Sequence, residues 1–161
     1  MAMTDILYSQ GGSLITVGDS AYATADVDSI TMVRTITVDF KDNKATVNLN
    51  NAPGVTYTAE GGHVVINNTN ATEEMEFVLS GTSNDASLTY NGVYKCKFHL
   101  NNLNLTSTKG AALDIQCGKR IDVFLMDGTT NSLTDYAGGL QKAAFYCKGH
   151  MEVAGGGSLT V

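Results

Sequence analysis

Ile121-Asp122-Val123-Phe124-Leu125 decides the fold, because it repeats Cys96-Lys97-Phe98-His99-Leu100 at a spacing of about 25 residues. Inward apolar and outward polar positions alternate in both segments, which is typical of strands that bury one face. Met151-Glu152-Val153 continues the series about 30 residues later. Equivalent positions that return at such intervals predict coils stacked on one another, and not one folded-back core.

Two further strands accompany each copy of this segment. The matching apolar positions upstream are Leu88/Tyr90, Leu113/Ile115 and Phe145/Cys147, and those downstream are Leu105, Leu133 and Leu159. The sequence therefore predicts an all-β parallel β-helix, a solenoid with about three short strands per coil. An antiparallel β-sandwich is the alternative, but its equivalent positions are not expected to recur at this spacing.

The N-terminal part of the chain aligns less well with the repeat. Asn50-Asn51-Ala52-Pro53-Gly54 is the strongest turn signal in the 161 residues. We expect one domain over residues 1–161, with residues 1–50 as an irregular N-terminal coil or cap and residues 51–161 as regular coils.

Composition limits the classes of partner. Charged residues make up only 16%, the net charge is −6 and the pI is near 4.8. This acidic balance argues against nucleic acid as a partner and favours a cation or a neutral polymer. No apolar run reaches the roughly 18 residues of a membrane helix, so membrane insertion is not expected. The first residues do not form a signal peptide, which indicates either an intracellular protein or a trimmed form of an exported one.

Outward residues of neighbouring coils should form columns. One column is basic, with Lys95, Arg120 and His150, and the next holds Lys97, Asp122 and Glu152. The functional interpretation is a carboxylate pair for a cation or for acid/base work. The alternative is a solvated ladder of ion pairs, each contributing about 0 to 1 kcal/mol.

Several oxygen-bearing residues are candidate ligands for calcium, which takes 6 to 8 oxygen ligands. Asp114 belongs to a third column, with Thr89 and Tyr146, and it could share a face with Asp122 of the same coil. Turn residues add to the set. The predicted metal ligands are Asp114, Asp122, Asp127, Asn131 and Asp135.

Signatures of catalysis are missing from the sequence. It contains no His-Glu-x-x-His zinc motif, and none of its serines lies in a Gly-x-Ser-x-Gly nucleophile elbow. We therefore expect a protein that is not an enzyme. Sugar binding usually needs an aromatic platform, and exposed tyrosines could supply it. The predicted carbohydrate-binding residues are Tyr94, Tyr136, Tyr146, Lys97 and Arg120.

Five segments within residues 76–161 resemble, in the same order along the chain, segments of a bacterial carbohydrate-binding family. They are Phe77 to Thr82, Gly110 to Ile115, Leu125 to Asp135, Lys142 to Gly149 and Gly156 to Val161. The resemblance implies a right-handed parallel β-helix that is secreted or held at the cell surface. It further implies a non-catalytic protein that binds cellulose-type or pectin-type polysaccharide with bound calcium; adhesins of the cell surface are a neighbouring group.

Two other functions remain open at the level of sequence. A structural module could self-associate into a homo-oligomer by end-to-end stacking of coils, because an uncovered coil offers unpaired backbone groups. A polysaccharide lyase-like enzyme would need a basic residue beside a calcium cluster, and Lys95, Lys97 and Arg120 are the candidates.

Overall fold

The computed structural model describes residues 6–9, 12–17, 20–23 and 35–161, and gives side chains for the last range alone. The chain divides into two compact units, Met1–Met32 and Val33–Val161. The first unit contains an antiparallel sheet of β1 (Ile6–Ser9), β2 (Gly12–Val17) and β3 (Ser20–Ala23) in sequence order.

The second unit is all-β, with no helix in residues 35–161. Its strands are β4 (Thr35–Lys41), β5 (Lys44–Asn48), β6 (Val55–Glu60), β7 (Gly62–Asn68), β8 (Met75–Ser83), β9 (Ala86–Gly92), β10 (Cys96–Thr106), β11 (Leu113–Gln116), β12 (Ile121–Leu125), β13 (Thr130–Thr134), β14 (Phe145–Cys147), β15 (Met151–Ala154) and β16 (Ser158–Thr160).

These strands form two mixed sheets. The eight-stranded sheet has the order β15-β12-β10-β8-β4-β5, with β13 beside the second half of β10 and β16 beside β13. The five-stranded sheet has the order β14-β11-β9-β7-β6. Pairing is parallel except where β4 meets β5 and β6 meets β7. The all-β prediction is confirmed.

Most of the predicted register is confirmed. Cys96 pairs with Ile121, and Ile121 with Met151, so the decisive segment stacks as the repeat indicates. The upstream matches of Leu113 with Leu88 and with Phe145 are also found.

One predicted match is wrong. Leu105 pairs with Leu133, but Leu159 pairs with Asn131 and not with Leu133. The cause is the preceding turn, since β13 starts six residues after Phe124 whereas β16 starts four residues after Ala154, the partner of Phe124. The shift is of two residues, so the side chains keep their faces.

Regular pairing begins earlier than the predicted boundary at residue 50. β4 runs parallel to β8, with Ile36 opposite Phe77 and Val38 opposite Leu79. The expectation of one domain over residues 1–161 stays a prediction.

The core of the second unit lies between its sheets. Phe77 and Phe98 stack with ring centroids 4.8 Å apart, and the Tyr90 ring meets both edge-on at 5.1 and 5.4 Å. The hydroxyl of Tyr90 is fully buried and accepts a hydrogen bond of 3.0 Å from Asn68 Nδ2. Because inward residues fill this core, alternate residues of each strand face outward and form the two surfaces on which a site can lie.

Candidate functional site

A polar cleft of about 420 Å³ opens on the outward face of the five-stranded sheet. The cleft crosses β6, β7, β9 and β11, and residues that follow β10 (109–111) and β13 (140–141) also line it. Its chemically active lining residues are Glu60, His63, Ser87, Thr89, Lys109 and Asp114. Those on β7, β9 and β11 face outward because the residues that alternate with them, such as Val64, Leu88 and Leu113, fill the core.

His63 and Ser87 lie side by side at the edge of the cleft, because β7 and β9 pair in parallel with these residues in register. His63 Nδ1 lies 2.8 Å from Ser87 Oγ, and His63 Nε2 lies 2.9 Å from Asp85 Oδ1. The His63 side chain is only 11% exposed, whereas the Asp85 side chain is 42% exposed, so this line of hydrogen bonds runs from a half-buried hydroxyl to a carboxylate that water reaches. The imidazole is therefore fixed between a hydroxyl and a carboxylate.

The hydroxyl of Thr108 donates a hydrogen bond to Asp85 Oδ1, and this bond is the main cause that lowers the pKa of the Asp85 carboxyl. Desolvation of the carboxyl raises the pKa in part, and the hydrogen bond from His63 lowers it further. At neutral pH Asp85 is thus ionised and acts purely as an acceptor toward His63.

Asp114 occupies the middle of an outward row across three strands. Thr89 of β9 and Tyr146 of β14 lie on either side of it in register. Burial raises the pKa of the Asp114 carboxyl, and a 2.8 Å hydrogen bond from Gln116 Nε2 opposes the rise. The row thus offers a hydroxyl, an oriented carboxylate and an aromatic ring at strand spacing, about 4.8 Å per step.

Lys109 is the cation among the residues that line the cleft. Its Nζ lies 3.2 Å from Glu60 Oε2, and both side chains are largely exposed, so the pair contributes little to stability. The lining carboxyl groups are those of Glu60 and Asp114, so they outnumber the one lysine of the lining. Such a surface offers many acceptors for the hydroxyl groups of a neutral or weakly charged ligand.

The outward face of the eight-stranded sheet carries the predicted basic residues. Lys97 Nζ lies 3.3 Å from Glu74 Oε2 and 3.4 Å from Glu76 Oε1, and the hydrogen bond with Glu74 is the main cause that raises the Lys97 pKa. Arg120 donates to Asp122 at 2.8 Å and to Glu152 at 2.7 Å. Both cations are engaged, which matches the interpretation of these columns as ion-pair ladders.

The predicted tyrosines do not share one surface. Tyr146 lies in the row beside Asp114. Tyr94 is half-buried in the turn before β10, where its ring faces Lys95 Nζ at 6.0 Å. Tyr136 follows β13 and is 51% exposed, and its backbone N–H donates to Gly110 O.

The five predicted metal ligands are not brought together. Asp114 and Asp122 lie on different sheets, so they do not share a face as the sequence suggested. Asp127 accepts the Gly156 N–H at 2.8 Å, and Asp135 follows β13. Residues 35–161 contain no cluster of three or more His, Cys, Asp or Glu side chains with the geometry of a metal site. Calcium binding by members of this set stays a prediction.

Asn131 is fully buried and has a structural task. Its Oδ1 accepts the Leu103 N–H at 2.9 Å, and its Nδ2 donates to Ser158 O at 3.0 Å and to Thr129 Oγ1 at 3.2 Å. The side chain thereby connects β10, β13 and β16 from within the core.

Sequence reasoning missed His63, Asp85 and Ser87. His63 and Ser87 have the same spacing in the chain as Val64 and Leu88, so extending the repeat toward the N-terminus would have placed them together. It also missed Phe124, whose ring stacks on His99 at 5.1 Å on the other sheet. The repeat that decides the fold already aligned these two positions.

A comparison with protein families assigns most of the second unit to one family. Residues 60–161 match the family described as carbohydrate-binding domain-containing protein. The chain belongs to this family. The matched residues include most of the cleft and the whole row of Thr89, Asp114 and Tyr146. No helix in the described part of this carbohydrate-binding domain has the length and apolar character needed to cross a membrane.

A solved structure has a similar fold. It is a polysaccharide lyase-like protein from C. thermocellum, studied as a gadolinium derivative, with a TM-score of 0.61 and 24% sequence identity. The similarity covers 81% of this chain and 52% of that one, so the chain spans about half the length of the similar protein. At this identity the likeness concerns the fold alone. Comparison with curated proteins gives no match.

Proposed function

We propose that the carbohydrate-binding domain holds an extended polysaccharide of the cellulose or pectin type across the five-stranded sheet. The row of Thr89, Asp114 and Tyr146 carries the proposal. A polymer laid across parallel strands meets one side chain per strand, and here these are a hydroxyl, a carboxylate and an aromatic ring. A carboxylate accepts strong hydrogen bonds from sugar hydroxyls, and the tyrosine ring offers an apolar face with a polar tip.

The predicted carbohydrate-binding cations, Lys97 and Arg120, are less suited to bind a glycan than this row is. A glycan at Lys97 or Arg120 would have to compete with carboxylates at 2.7 to 3.4 Å. Asp114 is half-buried with one hydrogen bond, from Gln116, and it keeps acceptor capacity for a ligand.

Retention on insoluble polymer tests the proposal. Asp114→Asn should weaken binding to cellulose or to immobilised polygalacturonate by about tenfold or more, since a hydrogen bond to a charged group contributes roughly 1.5 to 3 kcal/mol. Tyr146→Ala should weaken the same binding because it removes the aromatic face of the row. Asp122→Asn is the matched control, because Asp122 is the outward aspartate of the neighbouring strand on the opposite sheet. If all three variants are retained as strongly as the wild type, the assignment of this row is wrong.

We further infer that the second unit is a right-handed parallel β-helix. In support, β7 and β9 alternate along the chain with β8 and β10, and each returns to its own sheet in parallel register. A crystal structure in which the two sheets are not closed into one coil would contradict this fold.

We propose that calcium takes part in binding of the polysaccharide. Retention on the polymer, measured in calcium and again in EDTA, tests this.

We propose an extracellular or cell-surface location, because an insoluble polymer is too large to enter a cell. Immunodetection on intact cells tests this location. Binding at the row needs no bond to be broken, and the expectation that the chain is not an enzyme stays a prediction.

Self-association is a second candidate function, favoured by one observation. Met151 and Val153 of β15 stand on inward rows, yet they are 37% and 51% exposed. β15 is also the outermost strand of its sheet among the described strands. A second copy of the chain could cover it. Sedimentation at rising concentration tests this, and a monomer whose behaviour Val153→Lys leaves unchanged would argue against it.

A further inference from the structure

Ser87, His63 and Asp85 form a continuous hydrogen-bonded line at the edge of the polar cleft. The distances are 2.8 Å from Ser87 Oγ to His63 Nδ1 and 2.9 Å from His63 Nε2 to Asp85 Oδ1. Thr108 fixes the far end of the line by donating to the same Asp85 oxygen. A hydroxyl, an imidazole and an oriented carboxylate in this sequence are the parts of a general-base-activated nucleophile.

The ionised Asp85 decides the tautomer of the imidazole. Because the carboxylate accepts and cannot donate, the proton between His63 Nε2 and Asp85 Oδ1 belongs to Nε2. When the ring is neutral, Nδ1 carries a lone pair, and the hydroxyl of Ser87 is then the donor in its hydrogen bond with Nδ1. This direction is the one required for removal of the Ser87 proton.

The line ends at the proposed carbohydrate site. Ser87 and His63 line the same cleft as Asp114, with Lys109 as the cationic donor among the lining residues. We propose that Ser87, His63 and Asp85 hydrolyse ester groups carried by the hydroxyls of the bound polysaccharide. The choice of substrate rests on the proposed function, and the inference departs from the sequence-based expectation that the chain is not an enzyme.

The chemistry is that of acyl transfer through a covalent intermediate. Ser87 Oγ attacks the ester carbonyl carbon while its proton passes to His63 Nδ1. The bond from that carbon to the sugar oxygen then breaks, and Nδ1 returns the proton to the departing sugar hydroxyl. Water attacks the acyl-serine, again with Nδ1 as the base, and the carboxylic acid leaves as Ser87 Oγ regains a proton. Lys109 is the lysine of the cleft lining, and its ammonium would have to leave Glu60 Oε2, 3.2 Å away, in order to donate to the oxyanion of each tetrahedral intermediate.

Hydrolysis of 4-nitrophenyl acetate tests the activity without any polysaccharide. The wild-type chain should exceed the buffer rate, and Ser87→Ala should lower that excess by about 100-fold or more, as should His63→Gln. Ser80→Ala is the matched control. Ser80 Oγ also makes a side-chain hydrogen bond, but its partner is the Asp39 carboxylate at 2.7 Å, whereas the partner of Ser87 Oγ is the His63 imidazole. Phenylmethylsulfonyl fluoride should add one sulfonyl group by intact mass, and Ser87→Ala alone of the two serine variants should abolish it.

The outcomes separate this inference from the binding proposal. A wild-type rate equal to that of buffer, or an undiminished rate and labelling in Ser87→Ala with native circular dichroism, overturns the hydrolytic activity. If ester hydrolysis is present but Asp114→Asn binds polymer as well as wild type does, the binding row fails and the hydrolytic line stands. If Asp114→Asn loses polymer while the wild type hydrolyses no ester, the binding row stands alone.

Discussion

Replacing Asn131 with alanine should cost about 2 to 4 kcal/mol of unfolding free energy. The Leu103 N–H loses its acceptor in a fully buried position, which costs roughly 1 to 3 kcal/mol. Ser158 O loses a donor as well, but Ser158 is exposed and water can replace part of that hydrogen bond, so about 1 kcal/mol is added. Thr129 keeps a 2.7 Å hydrogen bond to Met126 O and adds little.

Urea unfolding followed by circular dichroism measures this loss. With a slope of roughly 2 kcal/mol per molar urea, the midpoint should fall by about 1 to 2 M while the slope is unchanged. Asn104→Ala is the matched control. Asn104 is the half-buried partner of Ser132 on the outward side of the same pair of strands, and its loss should cost below about 0.5 kcal/mol.

Two results would refute the reasoning. A change of less than about 0.5 kcal/mol for Asn131→Ala would show that the buried Leu103 N–H finds another acceptor. A loss that appears in the wild type on addition of EDTA, and is absent from the variant, would mean that Asn131 acts as a metal ligand, as the sequence suggested.

Two further substitutions test the electrostatics and the backbone. Asp114→Asn should raise the melting temperature at neutral pH: the folded-state pKa of Asp114 is raised, so its ionised form disfavours the folded state above that pKa and the effect vanishes as pH falls below the unfolded value. A gain that persists unchanged at pH 3 would contradict this sign. Gly81→Ala should destabilise by about 2 kcal/mol or more, because Gly81 has φ +97° and an added Cβ would overlap the Phe40 carbonyl oxygen. Gly118→Ala, with open space around it, should stay within about 0.5 kcal/mol in calorimetry, and equal losses for the two glycines would refute the steric account.

Alternation of apolar and polar residues was enough to predict which side chains of β10 and β12 lie in the core. It predicted Cys96 over Ile121 and Phe98 over Val123 correctly, because a period of two residues fixes the face of each strand. It could not predict that Leu159 lies opposite Asn131. That pairing depends on the length of the preceding turn, which alternation does not report.

The candidate site was harder to predict than the core. Asp114 and Tyr146 were found because their column lies inside the repeat that aligned. His63 and Ser87 belong to an earlier part of the repeat, and Asp85 joins them from the turn before β9, where no periodicity applies. The engagement of Arg120 by two carboxylates is likewise a matter of side-chain geometry that spacing alone leaves open.

The turn before β16 is two residues shorter than the turn before β13, so even and odd changes in turn length should have different effects. Lengthening or shortening a turn by two residues shifts the next strand by two positions, and the same side chains still face the core, as at Leu159. A change of one residue would turn every following side chain of that strand over, unless a bulge absorbs it. Asn102 is such a bulge: it has φ +53°, and β10 pairs with β8 on both sides of it while one residue is skipped. Natural length variation among relatives should therefore come in even steps within these turns, and odd steps should coincide with an asparagine or glycine of positive φ.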